Sequence, residues 1–252
     1  MNIYTAEEVA RIRRAGRLLA RTRSVLLKEA RAGVKLRALD KLAEKLIKAE
    51  PDYQPAFLGY RPKGAKSAYP NSICASVNEI IVHGLPTDYA LRDGDLLTID
   101  LGVIYQGYYS DSAWTIGIGK ISPIARKLLE VGPKCLAKAI SEARPGKTLG
   151  DIGYAVQSTV ERAGFRVANG LTGHGIGKNL HELPNVLNVG RPGEGLPLTP
   201  GMVIAIEPMI TAGGPELKLM PDDGYATADG SLSVHFEHTV AITAAGPEVL
   251  TE

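Results

Sequence analysis

Apolar residues recur at helical spacing from the start of the chain: Val9, Ile12, Leu18, Leu19 and Leu26 follow Thr5 and Glu8, which stand three apart as in a capping box. A first helix is predicted to about residue 30. Leu36, Leu39, Leu42, Leu46 and Ile47 form a second stripe, and Pro51 limits it, which predicts a helix over 36–49. From 53 to 86 the pattern changes to turn residues and short β-branched runs, among them the loop Arg61 to Ser67 and the strand-like Ile80-Ile81-Val82-His83. Strands follow over 96–99 and 108–116, joined near Gln106-Gly107. Helices return over 123–143 and 149–163, and from 167 to 249 strands alternate with loops rich in Gly and Pro.

The order helix, helix, strands therefore occurs twice. Arg31-Ala32-Gly33-Val34-Lys35-Leu36-Arg37-Ala38-Leu39 aligns with Arg144-Pro145-Gly146-Lys147-Thr148-Leu149-Gly150-Asp151-Ile152, matching Arg, Gly and Leu and pairing Leu39 with Ile152. Repeated order and repeated residues together predict an internal duplication, with halves at about 1–117 and 118–252. No low-complexity linker separates them, so residues 1–252 are expected to form a single domain sharing one sheet and one core. The fold class is α+β, with helices covering one face of a mostly antiparallel sheet.

Composition narrows the class. A hydrophobic fraction of 44% with 22% charged residues suits a globular chain with a substantial core, and disorder is disfavoured. Lys and Arg number 29 against 27 Asp and Glu, and the basic residues between Arg11 and Arg31 are spaced as a solvated helix face, not as a nucleic-acid patch. Two cysteines, Cys74 and Cys135, make no disulfide framework, and Met1-Asn2-Ile3-Tyr4-Thr5 lacks a signal-peptide pattern. No apolar run approaches the roughly 20 residues that span a bilayer. A cytoplasmic, reducing compartment is expected.

Five residues carry candidate chemistry. Asp100 stands in an otherwise apolar strand, and a hairpin turning near Tyr105-Gln106 would set it opposite Asp111 on one face; a three-residue loop ending at Gly107 would need a bulge. Like charges held so close call for a cation or a proton. In Thr172-Gly173-His174-Gly175-Ile176-Gly177, glycines flank an imidazole, and His181 follows seven residues later. Glu207 ends the apolar run Val203-Ile204-Ala205-Ile206, where Pro208 should stop the strand. Glu237 lies on the polar face of Ser233-Val234-His235-Phe236-Glu237, with solvent exposure as its plainest alternative. Two Asp, one His and two Glu suit a pair of divalent first-row metals about 3.5–4 Å apart. Neither a phosphate-binding P-loop nor a serine nucleophile elbow is found.

The ordered set His83-Gly84, Asp100 with Asp111, Thr172 to Gly177, His181-Glu182-Leu183-Pro184, Ile206-Glu207-Pro208-Met209 and Phe236-Glu237-His238-Thr239 resembles the type I methionine aminopeptidases across nearly the whole chain. That resemblance implies the duplicated pita-bread fold: a curved, mostly antiparallel sheet covered by two pairs of helices. It implies an enzyme that removes the initiator methionine from nascent polypeptides with a small second residue. Asp100, Asp111, His174, Glu207 and Glu237 would hold two divalent ions, with Asp111 and Glu237 shared. Asp100 would complete one site, His174 and Glu207 the other, leaving Co, Mn, Fe and Zn all open. Glu207 would also accept the proton of the attacking water, and His83 and His181 would position substrate and stabilise the tetrahedral intermediate.

The resemblance further implies a methionine pocket walled by Tyr60, Tyr69, Cys74, Leu180 and Tyr225, with Phe57 nearby, since aromatic and sulfur contacts suit a thioether. Arg61 to Ser67 looks longer than the usual connection in the family. Prolidases and proline-specific aminopeptidases use a similar ligand set, but they carry a large domain ahead of the catalytic one. Here the first helix starts near residue 5. A type II enzyme would need a helical insertion between His174 and Glu207, and a catalytically dead relative would lack ligands that are all present. Nascent N-termini near the ribosome are the expected partners of a monomer with no membrane or nucleic-acid partner.

Overall fold

The computed structural model describes residues 2–61 and 67–252; the expectation about the loop between Arg61 and Ser67 falls on 62–66, outside the described residues. Four helices occur where the periodicity predicts them: α1 (Ala6–Glu29), α2 (Leu36–Lys48), α3 (Pro123–Glu142) and α4 (Leu149–Arg162). The predicted capping box starts α1. Glu8 N–H donates to Thr5 Oγ1 at 3.3 Å and Thr5 N–H to Glu8 Oε2 at 2.9 Å, which satisfies amides that have no intrahelical acceptor. Val9, Ile12, Leu18, Leu19 and Leu26 are all buried. On α2 the buried line is Leu36, Leu39, Ala43 and Ile47, with Leu42 and Leu46 half-buried beside it. No helix among the described residues is long and apolar enough to cross a membrane.

All ladders among the described residues are antiparallel. The hairpin Leu96–Tyr105 with Tyr108–Gly117 is flanked by Ile73–Val77 and Tyr53–Pro55, and a five-stranded sheet centres on Val203–Ile206 between Thr172–Gly175 and His238–Thr243. Two three-stranded ladders complete the set. The single shared sheet and core expected from the sequence are thus subdivided. Leu19, Leu26, Leu39 and Ile47 of α1 and α2 pack on Leu97, Ile99 and Leu101, whereas Leu128, Leu136, Ile152 and Val156 of α3 and α4 pack on Ile204, Ile206 and Val240.

Hydroxyls stitch the hairpin Leu96–Tyr105/Tyr108–Gly117 to the segment 235–239 where they meet. Thr239 Oγ1 accepts from Asp111 N–H at 2.9 Å and donates to Asp111 O at 2.8 Å, Ser112 Oγ donates to Glu237 O at 2.7 Å, and Thr115 Oγ1 donates to His235 O at 2.8 Å. Main-chain bonds cross as well, from Glu237 N–H to Ala113 O at 2.8 Å and from Tyr109 N–H to Gly177 O at 2.7 Å. Side chains replace ladder bonds there: the Asp111 amide is served by Thr239 Oγ1 and the His235 amide by Thr115 Oγ1.

The duplicated segment keeps its geometry. Gly33 and Gly146 adopt φ of 87° and 85°, a left-handed turn that costs glycine little. Leu36 N–H donates to Tyr89 O and Leu149 N–H to Leu196 O, both at 3.0 Å; Arg37 N–H to Thr87 O and Gly150 N–H to Glu194 O likewise correspond, at 2.9 and 3.0 Å. Isolated bridges Lys35↔Ala90 and Thr148↔Pro197 complete the match.

Candidate metal centre

Asp100 and Asp111 project from the long hairpin. Its turn has only two residues, Gln106 and Gly107, with φ of 49° and 80°, and Tyr105 pairs with Tyr108. Positive φ at both positions matches the primed turn that closes a twisted hairpin without a bulge. Asp100 therefore pairs with Ala113 and Asp111 with Gly102, which corrects the expected direct opposition: the carboxylates are diagonal neighbours on one face. Both are buried.

The second half supplies its acids at strand ends. Val203–Ile206 stops ahead of Glu207-Pro208, as the proline demands, and Asn188 Nδ2 donates to Glu207 O at 2.9 Å. Glu237 falls between Ser233–His235 and His238–Thr243 with 2% of its surface exposed, so solvent exposure, the plain alternative, does not apply. His174 Nδ1 lies 2.9 Å from Gly175 O. A carbonyl only accepts, so Nδ1 carries the proton and Nε2 is left with its lone pair, 3.6 Å from Glu207 Oε1.

Four acids and two imidazoles share this buried space. Burial pushes Asp100 up to about 7 and Glu207 up to about 8, and burial plus neighbouring carboxylates raises Asp111 and Glu237 well above the usual range. Burial lowers His174 and His235 to about 4, which keeps both rings neutral, the form that ligates metals. Asp100 Oδ1, Asp111 Oδ1 and Glu237 Oε1 have no hydrogen-bond partner among the described residues. Leaving such oxygens buried and unpaired is costly, and a divalent cation relieves the cost and the mutual repulsion together. Asp111, His174 and Glu237 offer ligand atoms within 4.8 Å of one another, as do Glu207, His235 and Glu237. The residues fit a hard cation bound by oxygen and imidazole nitrogen, with Glu237 common to both groups. Asp100 belongs to neither group and sits beside Asp111.

His235 is the member that sequence reasoning passed over. Its Nε2 is 3.1 Å from Glu207 Oε2 and 3.9 Å from Glu237 Oε2, and neither ring nitrogen has a hydrogen-bond partner among the described residues. The signal was the period of two in Ser233-Val234-His235-Phe236-Glu237, which puts His235 on the face of Glu237.

The cluster opens into a cavity of about 1070 Å³, whose wall includes Phe57, Tyr60, Tyr69, Cys74, Leu180 and Tyr225 together with His83 and His181. Cys74 pairs with Asp100 across neighbouring strands, and Tyr69 Oη donates to Ile73 O at 2.9 Å while its ring meets Phe57 edge-on at 6.4 Å. His83 follows strand Ile80–Val82 with a φ of 60°, its ring 6.2 Å from that of Tyr225. His181 stands 4.4 Å from the His174 ring, edge to face, and its Nδ1 lies 2.7 Å from Tyr60 Oη.

Comparison with known proteins agrees with this architecture. Residues 10–244 match the family model described as metallopeptidase family M24. Methionine aminopeptidase 1 of Bacillus subtilis is 43% identical over 248 residues, covering 98% of this chain and 97% of that protein. The crystal structure of methionine aminopeptidase from Rickettsia prowazekii superposes with a TM-score of 0.95 at 37% identity and full coverage of both chains. The prolidase from Pyrococcus horikoshii reaches a TM-score of 0.77 at 26% identity, with 99% of this chain covering 63% of that one. The chain belongs to metallopeptidase family M24 and, within it, to the methionine aminopeptidases.

Proposed function

We propose that the chain, acting as one catalytic unit, hydrolyses the first peptide bond of polypeptides that begin with methionine followed by a small residue. The observation that carries this reading is the shared position of Glu237 in two ligand groups at the floor of a cavity walled by aromatic and sulfur side chains. Two divalent ions would be held by Asp100, Asp111, His174, Glu207 and Glu237, with Asp111 and Glu237 common to both. Such ions lower the pKa of water towards neutrality and polarise the scissile carbonyl. Cobalt, manganese, iron and zinc all suit the donor set.

The chain's own groups supply the rest. Glu207, a carboxylate when cations offset its burial, accepts the proton of the attacking water. His83 and His181 face the cavity and donate to charge that develops on the substrate. Phe57, Tyr60, Tyr69, Cys74, Leu180 and Tyr225 receive the methionine side chain, whose flexible thioether packs well on rings and sulfur. Nascent chains in the cytoplasm, close to the ribosome, are the natural source of such N-termini.

The test is a Met-Xaa-Ser peptide series given to chelated protein reloaded with each metal in turn, with bound metal measured on the same preparation. Methionine should be released, two ions should bind per chain, and cleavage should fall steeply once Xaa exceeds valine in size. Release of any first residue ahead of proline, whether or not it is methionine, would instead place the chain functionally with the prolidases.

A further inference from the structure

The structure sorts its neighbouring imidazoles into a ligand and a donor by what each meets at Nδ1, and we infer that Tyr60 is the positioning residue that fixes His181 as the donor. The inference rests on the proposed aminopeptidase reading and deepens it.

His174 and His181 lie with ring centroids 4.4 Å apart, yet their Nδ1 atoms have opposite partners. Gly175 O, 2.9 Å from His174 Nδ1, can only accept. Tyr60 Oη, 2.7 Å from His181 Nδ1, can donate or accept. Phenol, with a pKa of about 10, is a much stronger donor than a neutral imidazole N–H, and an imidazole nitrogen, whose conjugate acid has a pKa of about 6.5, is a much stronger acceptor than a phenol oxygen. Tyr60 O–H therefore donates to His181 Nδ1. Among the described residues, the Tyr60 hydroxyl has no other hydrogen-bond partner that could claim its proton.

A neutral imidazole carries one proton, so a filled Nδ1 lone pair puts the N–H of His181 on Nε2. The consequence is opposite for the two rings. His174 presents a bare Nε2, which suits a cation; His181 presents Nε2–H, which suits a developing negative charge. In the reversed tautomer, His181 would offer a lone pair beside the acids and would lose its donor. Tyr60 thus keeps His181 out of the ligand set as well as in the donor role. Contact between the two rings, centroids 5.4 Å apart, limits rotation of the imidazole away from that geometry.

The zinc-loaded full chain, labelled with nitrogen-15 at histidine, gives the first readout: two-bond proton–nitrogen correlations of the imidazoles, with the His181 signals identified by their loss in His181→Ala. Protonated Nε2 and bare Nδ1 at His181 are expected, and the reverse at His174. A proton on Nδ1 of His181 overturns the inference. This spectrum needs no turnover, so it stands even if no methionyl peptide is cleaved.

A double-mutant cycle on kcat gives the second readout. Because Tyr60→Phe leaves the imidazole in place but frees its tautomer, kcat should fall about tenfold with KM little changed, less than the roughly 10²–10³ expected for removing the donor in His181→Ala. In the His181→Ala background, Tyr60→Phe should have no further effect. An equal loss in both backgrounds, or a rise in KM alone, would make Tyr60 only a wall of the pocket and overturn the assignment.

Discussion

The two halves treat their strands differently while building the same turn ahead of their second helices. Around Gly33 and Gly146 the backbone bonds correspond one to one, because a left-handed turn feeding a helix and a crossing strand has few solutions. At the centre the correspondence ends. The first half sets Asp100 and Asp111 inside an unbroken hairpin of two ten-residue strands, whereas the second sets Glu207 and Glu237 where strands stop and restart. Geometry alone constrains the periphery, so duplication survives there; the centre answers to the chemistry of a buried cluster of acids, and its two sides have diverged.

The largest effects should come from the centre and should be indifferent to which half is changed. Asp111→Ala and Glu237→Ala should each lower kcat/KM on a Met-Ala-Ser peptide by more than about 10³, because each removes a carboxylate from a shared ligand group. The metal-free proteins should be no less stable than wild type, since each substitution relieves like-charge crowding. Addition of metal should raise the Tm of wild type but scarcely that of either variant. Near-normal turnover with full metal content in Asp111→Ala would show that Asp111 is dispensable and would overturn its place in the ligand set.

An intermediate effect should separate the halves at equivalent positions. Arg37 and Gly150 occupy the same place in the two turns; Arg37 is exposed, but a Cβ at Gly150 would stand 2.3 Å from Arg191 O and 2.5 Å from Glu194 O. Alanine gains up to about 1 kcal/mol in helix propensity over glycine. Overlap with two backbone oxygens outweighs that gain, and overpacking costs of about 1–3 kcal/mol set the scale. Gly150→Ala should therefore lower the urea midpoint, while Arg37→Ala, which loses only a solvent-exposed pairing with Asp88 at 3.6 Å, should stay within about 0.5 kcal/mol of wild type. Equal effects would mean that the segment 191–194 yields and that the halves are mechanically alike.

The periphery was also the legible part of the sequence. Helix limits, the Thr5–Glu8 cap and the Gly33/Gly146 repeat follow from interactions within a few residues, which periodicity and turn chemistry report directly. The hairpin register was misjudged because it depends on Gln106, a residue other than glycine, taking a left-handed φ beside Gly107. His235 went unread, and Glu237 kept solvent as an alternative, because burial at that face is imposed by strand Tyr108–Gly117 through hydroxyl contacts 120 to 128 residues apart in sequence. The subdivision of the sheet has the same long-range origin: nothing near Thr239 announces that its hydroxyl will serve Asp111.

The smallest expected effect tests how far the second half has elaborated the shared turn. Asp151 corresponds to Ala38, which is exposed, and it accepts at Oδ2 from Thr148 N–H and Thr148 Oγ1–H, both at 2.9 Å, and from Gly193 N–H at 3.3 Å; Lys147 Nζ lies 3.2 Å from Oδ1. Burial by itself would raise this carboxyl, but the Thr148, Lys147 and Gly193 donors together hold it down to about 2. An unfolded aspartate titrates near 3.9, so folding favours the ionised form. The stabilisation is therefore complete above about pH 4 and fades as the pH falls towards 2. Asp151→Asn keeps an acceptor oxygen but removes the charge, and at neutral pH it should cost about 1 kcal/mol, the scale of a helix cap beside the positive end of the dipole. Urea unfolding of both proteins at pH 7 and at a series of values between 4 and 2 measures the difference. It should shrink through that window as wild-type Asp151 itself becomes protonated. A constant difference across the series would assign the cost to lost shape rather than lost charge, and would leave Ala38 and Asp151 equivalent in their electrostatics.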